Sequence, residues 1–573
     1  MLGLWFRSAL LVLLLGACKP TPPPAAQVRI RWPRDPESLH PHMLANAVAV
    51  QAINLTYQSL LAVDAPRQQL VPLLADSLPA VRRTGSASFF SYRIRPQATW
   101  DDGQPILAAD VAFSLRAMRC PGLPNERMQA QYGFIRDITI SATDPRRFTL
   151  VCAPYAPDYR MLSGDFAILP EHLLDSAHTL RLLPLTDIDS VAAARPAVAA
   201  VIQRLATAGL ERSPGRYGSG PYQLKTWQTG QQLTLQRKRP WWGDALQATV
   251  PQLTAHPEQI RFQIIPDQTA ALLALRRQEI DVYAGIPPAD FARLRQSAAD
   301  TLRLGLYTPD SYEMVTAGFN TRRPVLRQAL TRQAISSLFD VEGILNGALH
   351  QQGYASVSMI SPQQPSFYND SLPADTFNPA AAIAYLQQAG WRRRPDGSWW
   401  QAGPDGKPMA LGFTIAYRAG NAAYEFIALQ VRTAAARLGI AVQLRPAESA
   451  QLTQQLQAGE FDVYLRSVVG NPFAHNFIPL LHSASTGTAG GNYTGFGSPA
   501  SDRLLEQLAA AEDTLSKRKL LRQFQRVLQR ERPLRVLYFM RNPIAVSKRF
   551  TNLGLSSLSP GYEVAGFVEQ PKL

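Results

Sequence analysis

Short strands alternate with amphipathic helices along this chain, and that alternation restricts its architecture more than any other feature. Val28-Arg29-Ile30-Arg31-Trp32 puts an apolar residue at every second position, as a half-buried strand does. Phe90-Ser91-Tyr92-Arg93-Ile94 and Phe148-Thr149-Leu150-Val151 repeat the pattern. Ile260-Arg261-Phe262-Gln263-Ile264-Ile265-Pro266 predicts a further strand. A helix is then predicted from Asp267 to Gln278, capped by Asp267 and striped by Ala271, Leu272, Ala274 and Leu275. Ala422 to Leu438 predicts a longer helix, closed at Gly439 and followed by the strand Ile440-Ala441-Val442-Gln443-Leu444. Strands interleaved with helices imply an α/β protein. The stretch Leu173 to Arg216 fits neither period apart from a helix over Val198 to Ala208, and reads as a surface insertion. No repeat of fixed period is present. The 573 residues imply roughly two to four domains.

Arg7 precedes the apolar run Ala9 to Leu15, which leads into Leu15-Gly16-Ala17-Cys18. That run is far shorter than the roughly 20 residues of a bilayer crossing. It fits a secretory signal peptide over residues 1–17. The cleavage region is similar to a bacterial lipobox, which implies acylation of the Cys18 thiol and a new N-terminus there. Two or more acyl chains hold a protein stably on a membrane, whereas one is marginal. Residues 18–26, with Pro20, Pro22, Pro23 and Pro24, predict an extended tether after the lipidated cysteine. No later segment is long and apolar enough to cross a membrane. The expected body is therefore soluble, held at Cys18 on the periplasmic or extracytoplasmic face of a bacterial membrane. Cys120 and Cys152 remain; an oxidising compartment permits a disulfide between them, and its geometry is not legible in sequence.

The hydrophobic fraction of 46% and charged fraction of 18% are those of an ordinary globular protein. The net charge of +15 is spread along the chain. Its densest cluster, Lys517-Arg518-Lys519 with Arg522, Arg526 and Arg530, has helical spacing and reads as a solvated helix face; orientation near an anionic bilayer is the alternative. Nucleic acid is not an expected partner outside the cytoplasm. Gly-x-Ser-x-Gly, His-Glu-x-x-His and Cys/His zinc spacings are all missing from the sequence, so neither an enzyme nor a metal or other cofactor is expected. His40-Pro41-His42 reads as a chance pair, and His172 and His178 are too loosely spaced for a metal.

Six motifs then fall in one order. They are Trp100-Asp101-Asp102-Gly103-Gln104-Pro105 with Ala109-Asp110-Val111; Gly218-Ser219-Gly220-Pro221-Tyr222, followed by Arg237 and Trp241-Trp242; and Ala274-Leu275-Arg276-Arg277-Gln278-Glu279-Ile280-Asp281. The others are Phe319-Asn320-Thr321 with Leu326 to Leu330; Asn378-Pro379 through Gly390-Trp391; and Gly490-Gly491-Asn492-Tyr493 with Gly495-Phe496. Each reads physically as a turn, a cap or packing; Asp102-Gly103, for instance, is a tight turn. Taken together they make the chain resemble the family 5 solute-binding proteins of ATP-driven importers, the oligopeptide, dipeptide and nickel-binding type. Lys238 departs from the pattern, standing where the family has asparagine.

The resemblance implies a two-lobed periplasmic-binding-protein-like α/β fold of class II, the large three-domain type, with discontinuous domains and a ligand cleft between the lobes. Domain Ia is expected at 27–65, 213–310 and 531–573, domain Ib at 66–212 and domain II at 311–530, with hinge crossings near Glu313–Phe319 and Leu534–Met540. It implies a monomer that binds a small peptide-like ligand and delivers it to an ABC permease and its ATPase. Peptide-binding members carry an aspartate for the ligand's amino group in the segment after a Phe/Tyr-Asp motif. Here Phe461-Asp462 leads to Arg466, Ser467 and Val468, and Asn471 takes the aspartate's place, which weakens the case for a charged amine clamp. The resemblance also points to Asn46 and Ala47, beside Ala45, and to Tyr283, Ala284 and Gly285 as ligand contacts. The alternatives are capture of a metal chelate of the nickel type, for which His475, His482 and Arg466 are candidates, another non-peptide solute, or a ligand-sensing receptor.

Overall fold

The computed structural model describes residues 26–571 apart from 44–45, 65, 122, 124, 157, 189–194, 208–209, 211–216, 471, 474, 488–489 and 512. The expectations for residues 1–17, Cys18, most of the tether, Ala45 and Asn471 lie outside the described residues.

Two large mixed sheets define two lobes. In the first, the strand order is Leu304–Tyr307, Ile544–Ser547, Val282–Ala284, Gln27–Trp32, Gln259–Ile264, Gln232–Arg237, Tyr222–Gln228. Gln27–Trp32 runs parallel to both of its neighbours. Its alternating Val28, Ile30 and Trp32 are buried, with Trp32 stacked on Phe262 at 3.9 Å. The helix Gln268–Arg276 follows one of those neighbours, and the Asp267 carboxylate caps it by accepting from Ala270 N at 2.7 Å.

The second sheet has the order Gly353–Ala355, Leu534–Arg541, Asp310–Phe319, Val463–Val469, Gly412–Arg418, Ala441–Ala447. The helix Ala422–Arg437 joins its parallel pair Gly412–Arg418 and Ala441–Ala447, and buries Ile427, Ala428 and Val431. Mixed sheets with helical crossovers make this an α/β fold.

A smaller four-stranded sheet, Ala80–Arg83, Ser88–Arg93, Arg147–Cys152, Ile135–Ile140, belongs to a subdomain of the first lobe. Leu174, Leu180, Leu183, Leu185, Ile188 and Leu205 are all buried in its core, so the stretch read as a surface insertion is a layer of that core. Its short turns and 3₁₀ segments leave no single period to read in sequence. Cys120 and Cys152 sit in the same core as separate thiols, which corrects the disulfide option. Cys152 ends a central strand between Ser88 and Ile135, and burial pushes its thiol up to about 12.

The segment from 531 also differs from expectation. Leu534–Arg541 pairs with Asp310–Phe319 and belongs to the second sheet, so only the chain from about Asn542 onward returns to the first. The crossings are accordingly shorter than predicted, the first falling earlier in the chain and the second later. Thr308-Pro309 joins Leu304–Tyr307 to Asp310–Phe319, and Asn542-Pro543 joins Leu534–Arg541 to Ile544–Ser547. They lie side by side, with Asn542 N donating to Pro309 O at 2.9 Å.

Two motifs that looked independent in sequence meet here. Lys238 is buried, and its ammonium donates to Asp101 at 2.9 Å and to Gly218 O at 2.8 Å. The lysine that departs from the family pattern therefore ties the Trp100 turn to the Gly218-Ser219-Gly220 turn. Gly220 itself is required by close approach, since a Cβ there would sit 2.5 Å from Leu55 O.

Candidate functional site

A cavity of about 310 Å³ lies between the two lobes. The small-sheet subdomain contributes Gln131, Asp158, Met161 and Leu162. Asp158 opens the one-turn helix Tyr159–Leu162 but makes no cap hydrogen bond, leaving its carboxylate to face the opposite lobe. From that lobe come Tyr312 and Met314 on the central strand, Met359 to Gln364, Val468 to Gly470, and the turn around His475 to Leu480. The walls are mainly apolar, and Asp158 is the only carboxylate among the described lining residues.

Hydrogen bonds cross the cleft and hold the lobes together. Asn476 Nδ2 donates to Asp158 Oδ2 at 3.0 Å. Ser557 Oγ, in the C-terminal part of the first lobe, donates to Gln363 Oε1 at 3.0 Å. The Tyr312 hydroxyl donates to Gln68 Oε1. Gln68 is held at φ 53°, a left-handed conformation uncommon for a residue with a side chain, at the tip of the hairpin formed by Leu61–Asp64 and Gln69–Pro72. These contacts describe a closed arrangement, in which burial pushes the Tyr312 hydroxyl up to about 12.

The electrostatics of the rim are set by burial. His475 is buried; one ring nitrogen pairs with Gln364 Oε1 at 3.1 Å, while Nδ1 has no partner among the described residues. Burial, with Lys517 nearby, pushes its pKa down to about 3, so the imidazole is neutral at pH 7. Burial also lowers the Lys517 ammonium, against which the Asp158 charge acts.

Of the residues singled out in sequence, Val468 and His475 line this cavity. Ser467 is one step away on the same strand, beside the Tyr424 hydroxyl. Arg466 is exposed and lies over the Tyr493 ring, 5.3 Å from its centroid. His482 is held by Glu506 and by Ala484 N, so His475, His482 and Arg466 are not gathered at one point. Asn46 caps the helix Ala47–Thr56, accepting from Ala49 N at 3.0 Å, and Ala47 is the exposed first residue of that helix. Tyr283 is buried in the first lobe beneath the Arg31 guanidinium. Neither it, Ala284, Gly285, Asn46 nor Ala47 lines the cavity, which is built from the small-sheet subdomain rather than from the large sheet of the first lobe. Asp462 is likewise structural, accepting from Thr414 N and Oγ1 at 2.8 Å and from Arg323 at 3.0 Å. Asp158, Gln131, Tyr312 and Asn476 were missed, because segments so far apart in sequence meet only through the hinge.

Two lobes joined by paired short crossings and closing on a cavity define a bilobal binding protein. Residues 69–489 match the family described as bacterial extracellular solute-binding proteins, family 5 Middle, and the chain belongs to that family. It is 23% identical over 461 residues to the oligopeptide-binding protein AppA of Bacillus subtilis, covering 80% of this chain and 76% of AppA. It is 21% identical over 520 residues to the dipeptide-binding protein of Escherichia coli K12, covering 88% and 87%. Among solved structures, NikA from Brucella suis in complex with Fe(III)-EDTA superposes with a TM-score of 0.73 at 17% identity, covering 95% of this chain and all (100%) of that one. That likeness establishes the shared fold. Among the described residues no helix is long and apolar enough to cross a membrane.

Proposed function

We propose that the protein is the extracytoplasmic binding component of an ABC importer, anchored through lipid at Cys18, and that it captures one small solute in the interlobe cavity for delivery to the permease and its ATPase. The observation that carries this reading is the interlobe cavity itself, walled by both lobes and bridged by Asn476 and Asp158. A ligand that touches both walls stabilises the closed form, which is how a bilobal receptor converts binding into shape. The volume of about 310 Å³ is at the lower end for small-molecule sites. That suits a dipeptide-sized solute and not a long extended peptide, which spans roughly 3.3–3.6 Å per residue. The apolar walls with a single carboxylate favour a solute carrying an amine beside apolar groups.

Thermal-shift screening tests this with dipeptides, apolar amines, acidic peptides and nonapeptides. Dipeptides or amines should raise the melting temperature, and Asp158→Asn should abolish the shift. Stabilisation by nonapeptides alone, or by acidic ligands equally in the variant, would refute the reading. A second reading, a metal chelate, is supported by one observation: the neutral His475 has an Nδ1 in the cavity wall with no partner among the described residues. In that case nickel or iron chelates bind the wild type, and His475→Ala loses them while Asp158→Asn does not.

A further inference from the structure

The second lobe holds another cavity, of about 380 Å³, outside the interlobe cleft. Four arginines line it, Arg526, Arg530, Arg532 and Arg535, against one carboxylate, Asp375. That carboxylate is already committed. Arg532 takes both of its oxygens, at 2.6 and 2.7 Å. Arg535 is 1% exposed and has no carboxylate of its own; its terminal nitrogens donate to the backbone oxygens of Ser336 and Asp375. The Nε atoms of Arg532 and Arg535 are both buried and lack any hydrogen-bond partner among the described residues. A buried guanidinium without a counter-anion is unfavourable. Burial pushes the Arg535 pKa down to about 10; the nearby Asp375 charge opposes that shift and the like charge of Arg532 adds to it.

At the mouth, Arg526 and Arg530 are one turn apart and exposed on the helix Thr514–Glu531. They continue a basic stripe from Lys519 and Arg522 on that helix. Part of the cluster has a structural role: Arg332 donates to the terminal carbonyls of the same helix at Glu531 and Arg532. That role explains neither the open volume, nor the two orphaned Nε atoms, nor the pair at the mouth.

We propose that this cavity is a second binding site, for a phosphate-bearing anion held by Arg526, Arg530, Arg532 and Arg535. Arg530 also pairs with the neighbouring Glu531 carboxylate at 3.0 Å, so four cations against two carboxylates leave an excess of two positive charges, which a doubly charged anion balances better than a simple carboxylate. Guanidinium groups match phosphate oxygens geometrically. The phosphate is either free in solution or carried on a lipid headgroup, and the two sources separate experimentally.

The test uses residues 19–573, which keep every strand and helix described here and carry no acyl chain. Phosphate and pyrophosphate are titrated by calorimetry at constant ionic strength, with chloride as the control. The comparison is the double variant R526A/R530A. Both side chains are exposed, and alanine preserves the helix. Binding of either anion to the wild type, weakened at least tenfold in the variant while the thermal melt of the apo protein stays unchanged, supports the site. Flotation with phosphatidylglycerol and phosphatidylcholine vesicles identifies the source. Retention on phosphatidylglycerol alone, competed by pyrophosphate and lost in the variant, means a lipid headgroup; binding of soluble anion without vesicle retention means a free phosphate. The proposal is overturned if neither anion nor vesicle binds beyond the control, or if the variant binds as the wild type does.

Discussion

Replacing Asn476 with alanine should open the cleft without unfolding either lobe. Asn476 donates to the Asp158 carboxylate at 3.0 Å across the cleft. A hydrogen bond to a charged group contributes about 1.5–3 kcal/mol net. In the open form both groups return to water, so the loss falls on the closed form alone. The closed-to-open ratio should therefore drop roughly 10- to 100-fold, from about 1.4 kcal/mol per decade. Spin labels at Glu126 and Ser366, both exposed and on opposite lobes, report the change as a distance distribution. Cys120 and Cys152 are buried and should stay unlabelled. The prediction is a shift from the short to the long distance with an unchanged melting temperature, and a larger shift for Asn476→Asp, which sets two carboxylates against each other. An unchanged distribution refutes the reasoning. So does a fall in melting temperature of about 2–4 °C per kcal/mol, which would make the pair part of the fold rather than of closure.

Three further outcomes are expected. Asp101→Ala leaves the buried Lys238 ammonium uncompensated and should cost about 3 kcal/mol in urea unfolding, whereas Lys238→Met should cost less, because the Asp101 carboxylate can reach water. Burial lowers His40, His42 and His475 to about 3, 4 and 3, so the unfolded chain takes up their protons first and stability should fall as pH drops from 6.5 toward 4. Asp110 and Asp165, raised to about 6 by burial, act the other way, favouring the fold below pH 3.8 and losing that contribution as pH rises through 6; His42→Gln should flatten the acid limb in urea midpoints measured between pH 7 and pH 4. Cys18→Ala should abolish labelling by radioactive palmitate in the expressing cells; a variant labelled like the wild type would exclude Cys18 as the acylated residue.

Much of the secondary structure was legible because its signals are local. Asp267 follows a strand and precedes an apolar stripe, and Asn378-Pro379 opens a helix in which Asn378 accepts from Ala381 N at 2.9 Å. Sheet membership was harder. Leu534 to Met540 is expected only as a hinge crossing, and nothing in those residues states that they pair with Asp310–Phe319 in the second sheet. The buried leucines between 174 and 205 carry no period because turns and 3₁₀ segments keep resetting their direction. The candidate site was the least legible part. Phe461-Asp462 led toward it, yet Asp462 is consumed by Thr414 and Arg323, and the cavity begins only at Val468. Asp158 carries no local signal at all; its importance comes from the Asn476 amide that the closed hinge brings to it.

The most direct test of an interlobe site for one small solute is native mass spectrometry of residues 19–573, purified from the exporting cell without refolding. A single added mass no larger than a short peptide is expected, lost on denaturation and absent from Val468→Trp, whose indole fills the cavity. A ladder of long peptides, or an adduct that Val468→Trp retains, would contradict it.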